Sequence, residues 1–308
     1  MLITPANLNA LNTSLSLAYQ KAYDTTAVWY PEIATEIPSG STSNTYAWVE
    51  KMLKLRKWVG PRIAHNLKAQ SYVLPNEPYE GTVEVDRDDI EDDNIGVYTA
   101  MIMPGLGEAV RKHPDQLVAQ LIKDNTALAY DGLPLFDHAH LIGESGTYDN
   151  DFDLLLTADN FNTVWSAMVG YQGDDNLPLG VVPSVLYHAP QLKKKALEIL
   201  NSTTIVQAVQ NVAGTENVGA AAADNQMKGW CKPVMIEEWS DKPNMWVLAD
   251  CRKPVKPIVY QVRRKATFVA RDNPQDPKVF NERKFTYGTD YRGAVGITLP
   301  FLTARGHG

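Results

Sequence analysis

Between Asn176 and Ser202 the chain reads NLPLGVVPSVLYHAPQLKKKALEILNS, the pattern of a strand followed by an amphipathic helix. Leu179, Val181 and Val182 sit among Pro178, Gly180 and Pro183. Val185, Leu186 and Tyr187 then form a short apolar run of buried-strand type. Pro190 marks a place where a helix can begin but not continue through. Leu192, Ala196, Leu197, Ile199 and Leu200 make the apolar face of that helix, and Lys193, Lys194 and Lys195 cover the remainder. Nothing in this stretch is a plausible reacting group.

The same reading extends along the chain. Leu8, Leu11, Leu15, Leu17 and Tyr19 give a short helical period, broken by Pro31, Pro38 and the polar run Ser39 to Asn44. From Tyr46 to Val85 the pattern is strand-like, interrupted by Gly60, Pro61, Pro75, Pro78 and Gly81. Such a two-stranded excursion is marginal alone and needs a surface to lie on. A charge reversal follows, from Glu84 to Asp93, ending where a helix is predicted around Asn94. Ile95, Tyr98, Ile102, Leu106 and Ala109 have helical spacing, but Pro104, Gly105 and Gly107 should bend or break that helix. A second start is predicted at His113-Pro114-Asp115, preceding Leu117, Val118, Leu121, Ile122 and Leu128, with Gly132 as a left-handed C-cap. Thr157 is read as the cap of a further helix carrying Phe161, Val164, Trp165 and Met168. Residues 212–225 read as a mobile loop, and the chain from Val234 onward as mostly β. The fold class expected is α+β.

A chain of 308 residues can form two modest lobes or one large domain. No apolar run approaches membrane-spanning length. The start, MLITPANLNALN, has no positive region followed by an apolar core, so a secretory signal is not expected and a cytoplasm is. Cys231 and Cys251 lack zinc-finger neighbours and read as small buried apolar residues; a bridge between them is possible but not indicated. The net charge of −7 and a pI near 5.4 argue against a basic nucleic-acid-binding face.

Several fragments suggest chemistry and fail on spacing. Asp137-His138-Ala139-His140 could, on a strand, point two imidazoles to one face. Asp149, Asp151 and Asp153 lie nearby, but no third ligand is specified, and turn and cap hydrogen bonds are the favoured reading. The acidic run and Asp149-x-Asp151-x-Asp153 both lack the glycine that an EF-hand requires, the second having Leu154 there. Gly143-Glu144-Ser145-Gly146-Thr147 falls one glycine short of a nucleophile elbow. Gly105-x-Gly107-x-x-Val110 lacks the third glycine of a dinucleotide fingerprint, and no Walker A sequence occurs. No catalytic, metal or cofactor site is therefore expected. Lys57 and Lys68 raise the idea of a Lys–Asn isopeptide link, for which no partner is specified.

The 176–202 pattern resembles the A-domain of HK97-fold major capsid proteins of tailed phages. Three blocks make the chain similar to the Mu-like gpT family of major head subunits. The first is Trp48, Arg56-x-Trp58-x-Gly60-x-Arg62, Tyr72, Asn76, Glu80, Val83-x-Val85-x-Arg87 and Ile90-Glu91-Asp92-Asp93-x-x-Gly96-x-Tyr98. The second is His113-Pro114-Asp115, Leu117-Val118, Tyr130-Asp131-Gly132, Leu135-Phe136-Asp137 and His140. The third is Pro178-Leu179-Gly180 through Pro183, Ile199-Leu200, and the tail Tyr287-Gly288 with Arg292 and Gly293. One departure is Leu141, where the family leads one to expect proline after His140.

The resemblance implies an N-terminal arm (1–47), an E-loop region (48–90, its hairpin near Leu55 to Gly81), and a P-domain with a long spine helix (91–156, the helix from Asn94 to Ala129). An A-domain (157–250) and P-domain closing strands (251–308) would follow. It implies a non-enzymatic subunit that self-assembles, as hexamers and pentamers, into an icosahedral shell around double-stranded DNA. Scaffold and protease would act during assembly, a decoration protein could bind, and the product would be a virion assembled in the host cytoplasm. A mildly acidic wall would not adhere to packed DNA. Candidate inter-subunit residues are Arg56, Trp58, Arg62 and Lys68 on the hairpin, meeting a neighbour's Glu84, Asp88, Glu91, Asp92 and Asp93. The alternatives are an encapsulin-like compartment of the same fold and a metal-dependent hydrolase centred on His138 and His140.

Overall fold

The computed structural model describes residues 3–49, 69–92, 94–142, 146–173, 177–208 and 220–308. Helix α1 (Pro5–Thr25) starts at Thr4, whose hydroxyl accepts from the Asn7 amide at 3.3 Å. Its buried stripe is Leu8, Leu11, Leu15 and Tyr19. Leu17, two positions from Leu15 and so on the other side of the helix, is 66% exposed. The predicted periodicity is thus a 21-residue helix packed on its own chain. A single turn, α2 (Tyr30–Ile33), leads into β1 (Ala34–Pro38).

Strands β2 (Ser43–Val49) and β3 (Ala69–Pro75) pair antiparallel, and β4 (Glu77–Asp86) runs into the short α3 (Arg87–Glu91). A π-helical turn, Tyr98–Ile102, then leads directly into α4 (Met103–Asp124). The predicted break at Pro104 takes this form. Proline offers no N–H to the carbonyl one turn back and crowds it, and a wider turn accommodates both. The predicted second start at His113-Pro114-Asp115 is not a start, because Pro114 lies inside the continuous helix. The helix also ends earlier than expected. Asn125, at φ 51°, makes the left-handed cap, while Gly132 belongs to a later turn. The Asn125 side chain donates to Phe136 O at 2.8 Å and accepts from Phe136 N at 2.9 Å, which tethers the following segment. Leu128 falls outside the helix and is exposed.

The remaining elements are β5 (His140–Ile142), β6 (Gly146–Tyr148), β7 (Asp151–Phe152), α5 (Ala158–Val169) and β8 (Val185–His188). A 3-10 turn from Pro190 to Leu192 opens α6 (Lys193–Asn201). Then come β9 (Thr204–Ala208), β10 (Ala220–Asp224), β11 (Lys232–Met235), β12 (Trp246–Ala249), β13 (Ile258–Arg271), α7 (Pro277–Glu282), β14 (Lys284–Ile297) and β15 (Thr303–Gly306). The Thr157 cap is present, its hydroxyl accepting from Asn160 N at 3.2 Å. The end of the predicted 212–225 loop is instead strand β10, paired antiparallel with β9; its earlier part lies outside the described residues.

Two sheets organise the molecule. One has the order β1-β13-β14-β4, and the other the order β11-β8-β12-β15-β7. The second is covered on both faces. Val185, Tyr187, Val247 and Ala249 face a core shared with Val118, Ala119 and Ile122 of α4. Leu186, Trp246, Leu248 and Ala304 face a second core built with α5 and α6. Double coverage explains why β8 reads as an unbroken apolar run rather than an alternation. A third core joins α1, the N-terminal half of α4 and the strands β4 and β14 through Val85, Phe285 and Tyr287.

Helices α1 and α4 meet closely at Gly107. A Cβ there would collide with the Tyr19 carbonyl oxygen and lie 3.2 Å from Tyr23 N. Gly107→Ala should therefore destabilise the subunit by about 1–3 kcal/mol through overpacking. That outcome opposes the ~1 kcal/mol gain that alanine brings to an open helical site. Denaturant midpoints of the unassembled variant and parent measure the sign.

Candidate assembly surfaces

The hairpin β2–β3 is anchored at its base by a chain of side-chain hydrogen bonds. Tyr46 Oη donates to Gln261 Oε1 at 2.8 Å, and Gln261 Nε2 donates to Asn76 Oδ1 at 2.7 Å. Asn76 Nδ2 donates in turn to Ser39 Oγ and Ser41 O, both at 2.9 Å. Gln261 lies on β13 with no exposed surface, so it fixes the hairpin to the four-stranded sheet. A buried amide satisfied at each atom specifies geometry, since an unmatched alternative costs about 1–3 kcal/mol per group. Gly296 of β14 adds room, because a Cβ there would meet the Tyr72 hydroxyl. The predicted contact residues Arg56, Trp58, Arg62 and Lys68 lie outside the described residues, as do Lys57 and the Gly143-Glu144-Ser145 fragment.

The acidic run is knitted to cations of its own chain. Glu84 meets Lys284 at 2.9 Å, Asp88 meets Arg283 at 2.6 Å, and Glu91 meets Arg87 at 2.8 Å. The Arg87 hydrogen bond holds the Glu91 carboxyl below its usual range, and the Glu84 hydrogen bond raises Lys284. These pairs are exposed, so solvent and salt screen them and each is weak. Exposed pairs of this strength can exchange partners with a docking surface. Asp92 is exposed, and Asp93 lies outside the described residues. Asp89 accepts from Tyr98 Oη at 2.8 Å, which ties the run to the π turn.

His138 and His140 do not share a face as a ligand pair. His138 sits in a turn before β5 and is exposed, with Nδ1 at 3.2 Å from Asp149. That hydrogen bond raises its pKa. His140 is fully buried, with Nδ1 at 2.6 Å from Asp131 and Nε2 at 3.2 Å from Leu135 O. Both of its ring nitrogens are thus engaged by protein acceptors. Asp151 receives the Arg305 fork at 2.8 and 2.5 Å and His307 at 3.1 Å. Burial pushes the Asp151 carboxyl up, but the Arg305 hydrogen bond and charge outweigh it, so its pKa falls below the ordinary value. Among the described residues no group of His, Cys, Asp and Glu could hold a metal. Both cysteines are free thiols, pushed up to about 12 by burial.

Asp115 carries a role that sequence reasoning missed. It is 4% exposed and accepts from Tyr30 N at 2.7 Å and Trp29 N at 3.1 Å. It thereby pins the segment entering α2 and β1 to the middle of α4. Burial raises its pKa to about 6, against the lowering effect of the two amides. The sequence signal for it is the motif His113-Pro114-Asp115, which by itself suggests a helix start.

An N-terminal helix on a long helix, a strand hairpin pinned to an extended sheet, and a second compact α/β unit together define the HK97-type capsid-subunit fold. A family described as the Mu-like prophage major head subunit gpT matches residues 8–154, 152–221 and 226–307, and the chain belongs to it. The chain is 28% identical over 297 residues to the major capsid protein of Escherichia phage Mu, covering 96% of this chain and 72% of that protein. It is 27% identical to the Mu-like prophage FluMu major head subunit of Haemophilus influenzae, covering 96% and 71%. The procapsid of bacteriophage JBD30 is similar at a TM-score of 0.59 and 29% identity, over 99% of this chain and 76% of that one. The function is that of a major capsid protein of a Mu-like phage, in a structural rather than an enzyme family. The encapsulin-like alternative is not favoured by this match.

Two titrations of the same sign follow, both losing stability as pH rises. The folded-state pKa of Asp115, about 6, lies above its unfolded value, so the folded state holds the proton more tightly. Its contribution to stability is greatest at acidic pH and declines by roughly 2 kcal/mol as pH rises from ~4 through ~6. Asp115→Asn should remove that slope. His138 is also raised, so its pairing with Asp149 stabilises below the unfolded histidine pKa and is lost as pH rises through the folded value. His138→Gln should flatten that near-neutral slope in denaturant melts across pH.

Proposed function

We propose that this chain builds the closed icosahedral head of its phage, as hexamers and pentamers enclosing double-stranded DNA, after assembly in a host cytoplasm. The observation that carries this reading is the head-subunit match along residues 8–307, joined to a fold whose hairpin base is rigid. Exposed large apolar side chains support it. Phe280 is 82% exposed and Met101 70%, and such side chains are usually covered by partners when grouped on an assembling surface. In this reading residues 1–47 form the arm, 48–90 the E-loop region, 91–156 the P-domain with α4 as spine, 157–250 the A-domain, and 251–308 the closing strands. Strand β15 of the last segment completes the sheet of the A-domain region, so the chain returns to that unit at its end. A scaffold and a protease act during assembly in this scheme, and a decoration protein can dock on the finished shell.

The hairpin's Arg56, Arg62, Lys68 and Trp58 are proposed to lie over a neighbour's Glu84, Asp88, Glu91, Asp92 and Asp93. Guanidinium forks bind carboxylates in bidentate fashion, and tryptophan supplies the apolar anchor. Pro104, Gly105 and Gly107, which follow the irregular turn at Tyr98–Ile102, offer a place where the spine helix straightens when a round precursor shell expands.

Electron microscopy of the expressed protein, with and without its scaffold, should show closed shells; a protein that stays monomeric in every assembly condition ends this reading. Arg62→Glu should lower shell yield and make shell melting more salt-sensitive. Normal shells with an unchanged melting temperature would remove the hairpin-to-acidic-segment contact. Comparison of the α4 axis before and after expansion should show a change localised to residues 104–107, and an unchanged axis would sink the hinge.

A further inference from the structure

A cavity of about 230 Å³ opens where α1, α4, β1, β13 and β14 converge. Its wall is aromatic, formed by Tyr30, Tyr260 and Tyr291, each 4–6% exposed. Two cations reach it, Arg111 from α4 and Lys265 from β13, and one carboxylate, Glu36 from β1. The Arg111 guanidinium lies 5.3 Å from the Tyr23 ring centre. Its Nε is shielded from solvent and bonds no other atom among the described residues. A buried donor left in this state is unfavourable, the more so on a charged group. Neither Arg111 nor Lys265 has an ion-pair partner among the described residues, although most cations on the neighbouring strands do, as Arg264 does with Asp290. Glu36 is engaged instead by the Tyr30 hydroxyl, at 3.5 Å.

An unpaired guanidinium, an ammonium and tyrosine walls in one recess make a seat for a small oxyanion. The volume falls below the ~300 Å³ at which small-molecule sites begin, so it suits a single side chain. A planar carboxylate matches the guanidinium fork. A nucleic-acid strand fits poorly. Duplex phosphates follow one another at about one charge per 1.7 Å, and those flanking a seated phosphate would face Glu36. We propose that this pocket takes an aspartate or glutamate side chain of a second copy of this chain, held between Arg111 and Lys265. The choice of a copy rests on the shell reading above. It is supported by charge: 36 acidic residues stand against 29 basic ones, so every neighbouring copy brings carboxylates in excess. Asp92, exposed and in no ion pair among the described residues, is one such group. The pocket would thus join two subunits where the N-terminal helix, the spine helix and the sheet of one of them meet, reinforcing that junction only after assembly.

Two measurements test it. In the first, the unassembled subunit is melted in sodium glutarate, sodium phosphate and sodium chloride at equal ionic strength. Glutarate should raise the melting temperature saturably, more than phosphate does, and Lys265→Gln should abolish the difference while folding normally, because Lys265 is exposed. Equal melting in all three salts, or a response kept by Lys265→Gln, overturns the seat; a larger response to phosphate overturns its carboxylate assignment. In the second, shells assembled from mixed nitrogen-14 and nitrogen-15 subunits are treated with a carbodiimide, which joins amines to carboxylates already in contact. Lys265 should be found linked to an aspartate or glutamate of the other isotope. Links confined to its own chain, or none while other lysines react, overturn the inter-subunit contact and leave the shell reading intact. Failure to form any shell defeats the shell reading and the second-copy occupant with it, while the melting comparison still decides whether the seat binds carboxylate.

Discussion

The structure depends on the burial of α4 against three surfaces at once. Its N-terminal half packs on α1 and on β4 and β14, while its C-terminal half enters the core shared by both sheets. A helix with proline in its interior, at position 114, would kink or break in isolation, where an interior proline costs about 3 kcal/mol. Here Met103, Gly107, Val118, Ala119 and Ile122 are all buried. Burying large apolar side chains contributes about 1.5–3 kcal/mol each, enough to hold the helix continuous through Pro114. Trp239 adds a fixed point, its Nε1 donating to Ala119 O at 3.0 Å.

That rigid helix gives the rest of the molecule its reference. Asp115 pins the chain entering β1 to it, and β1 pairs with β13. Gln261 on β13 then orients Asn76, and through it the base of the β2–β3 hairpin. A continuous run of hydrogen bonds and packed strands therefore connects α4 to the base of the β2–β3 hairpin.

The chemistry that the sequence hinted at is absorbed by the fold. The two histidines of the 137–140 fragment face carboxylates of their own loop, and Asp151, part of the acidic triplet, receives Arg305 from the last strand. These contacts close the 131–153 segment against β15. They stabilise a surface and leave no open ligand position among the described residues. The acidic run before α4 has a different character, since its pairs with Lys284, Arg283 and Arg87 are exposed and weak.

Local pattern sufficed wherever one residue's neighbours in sequence are its neighbours in space. The α1 stripe, the Thr157 cap, the buried run of β8 and the α6 face all follow from period and capping chemistry. The order of the motif blocks along the chain also identified the family. Other features depended on residues distant in sequence. Pro114 could stay within a helix only because the cores on both sides hold it. Asn125, and not Gly132, ends that helix because its amide finds Phe136, eleven positions on. Asp115, Gln261 and the Arg111 recess acquire meaning from partners 75 to 215 positions away, which no window on the sequence spans. The sequence by itself therefore determined the elements, their apolar faces and the lineage. Only tertiary structure decided which polar groups are buried, since that depends on where long-range packing excludes water and supplies a hydrogen-bond partner in its place.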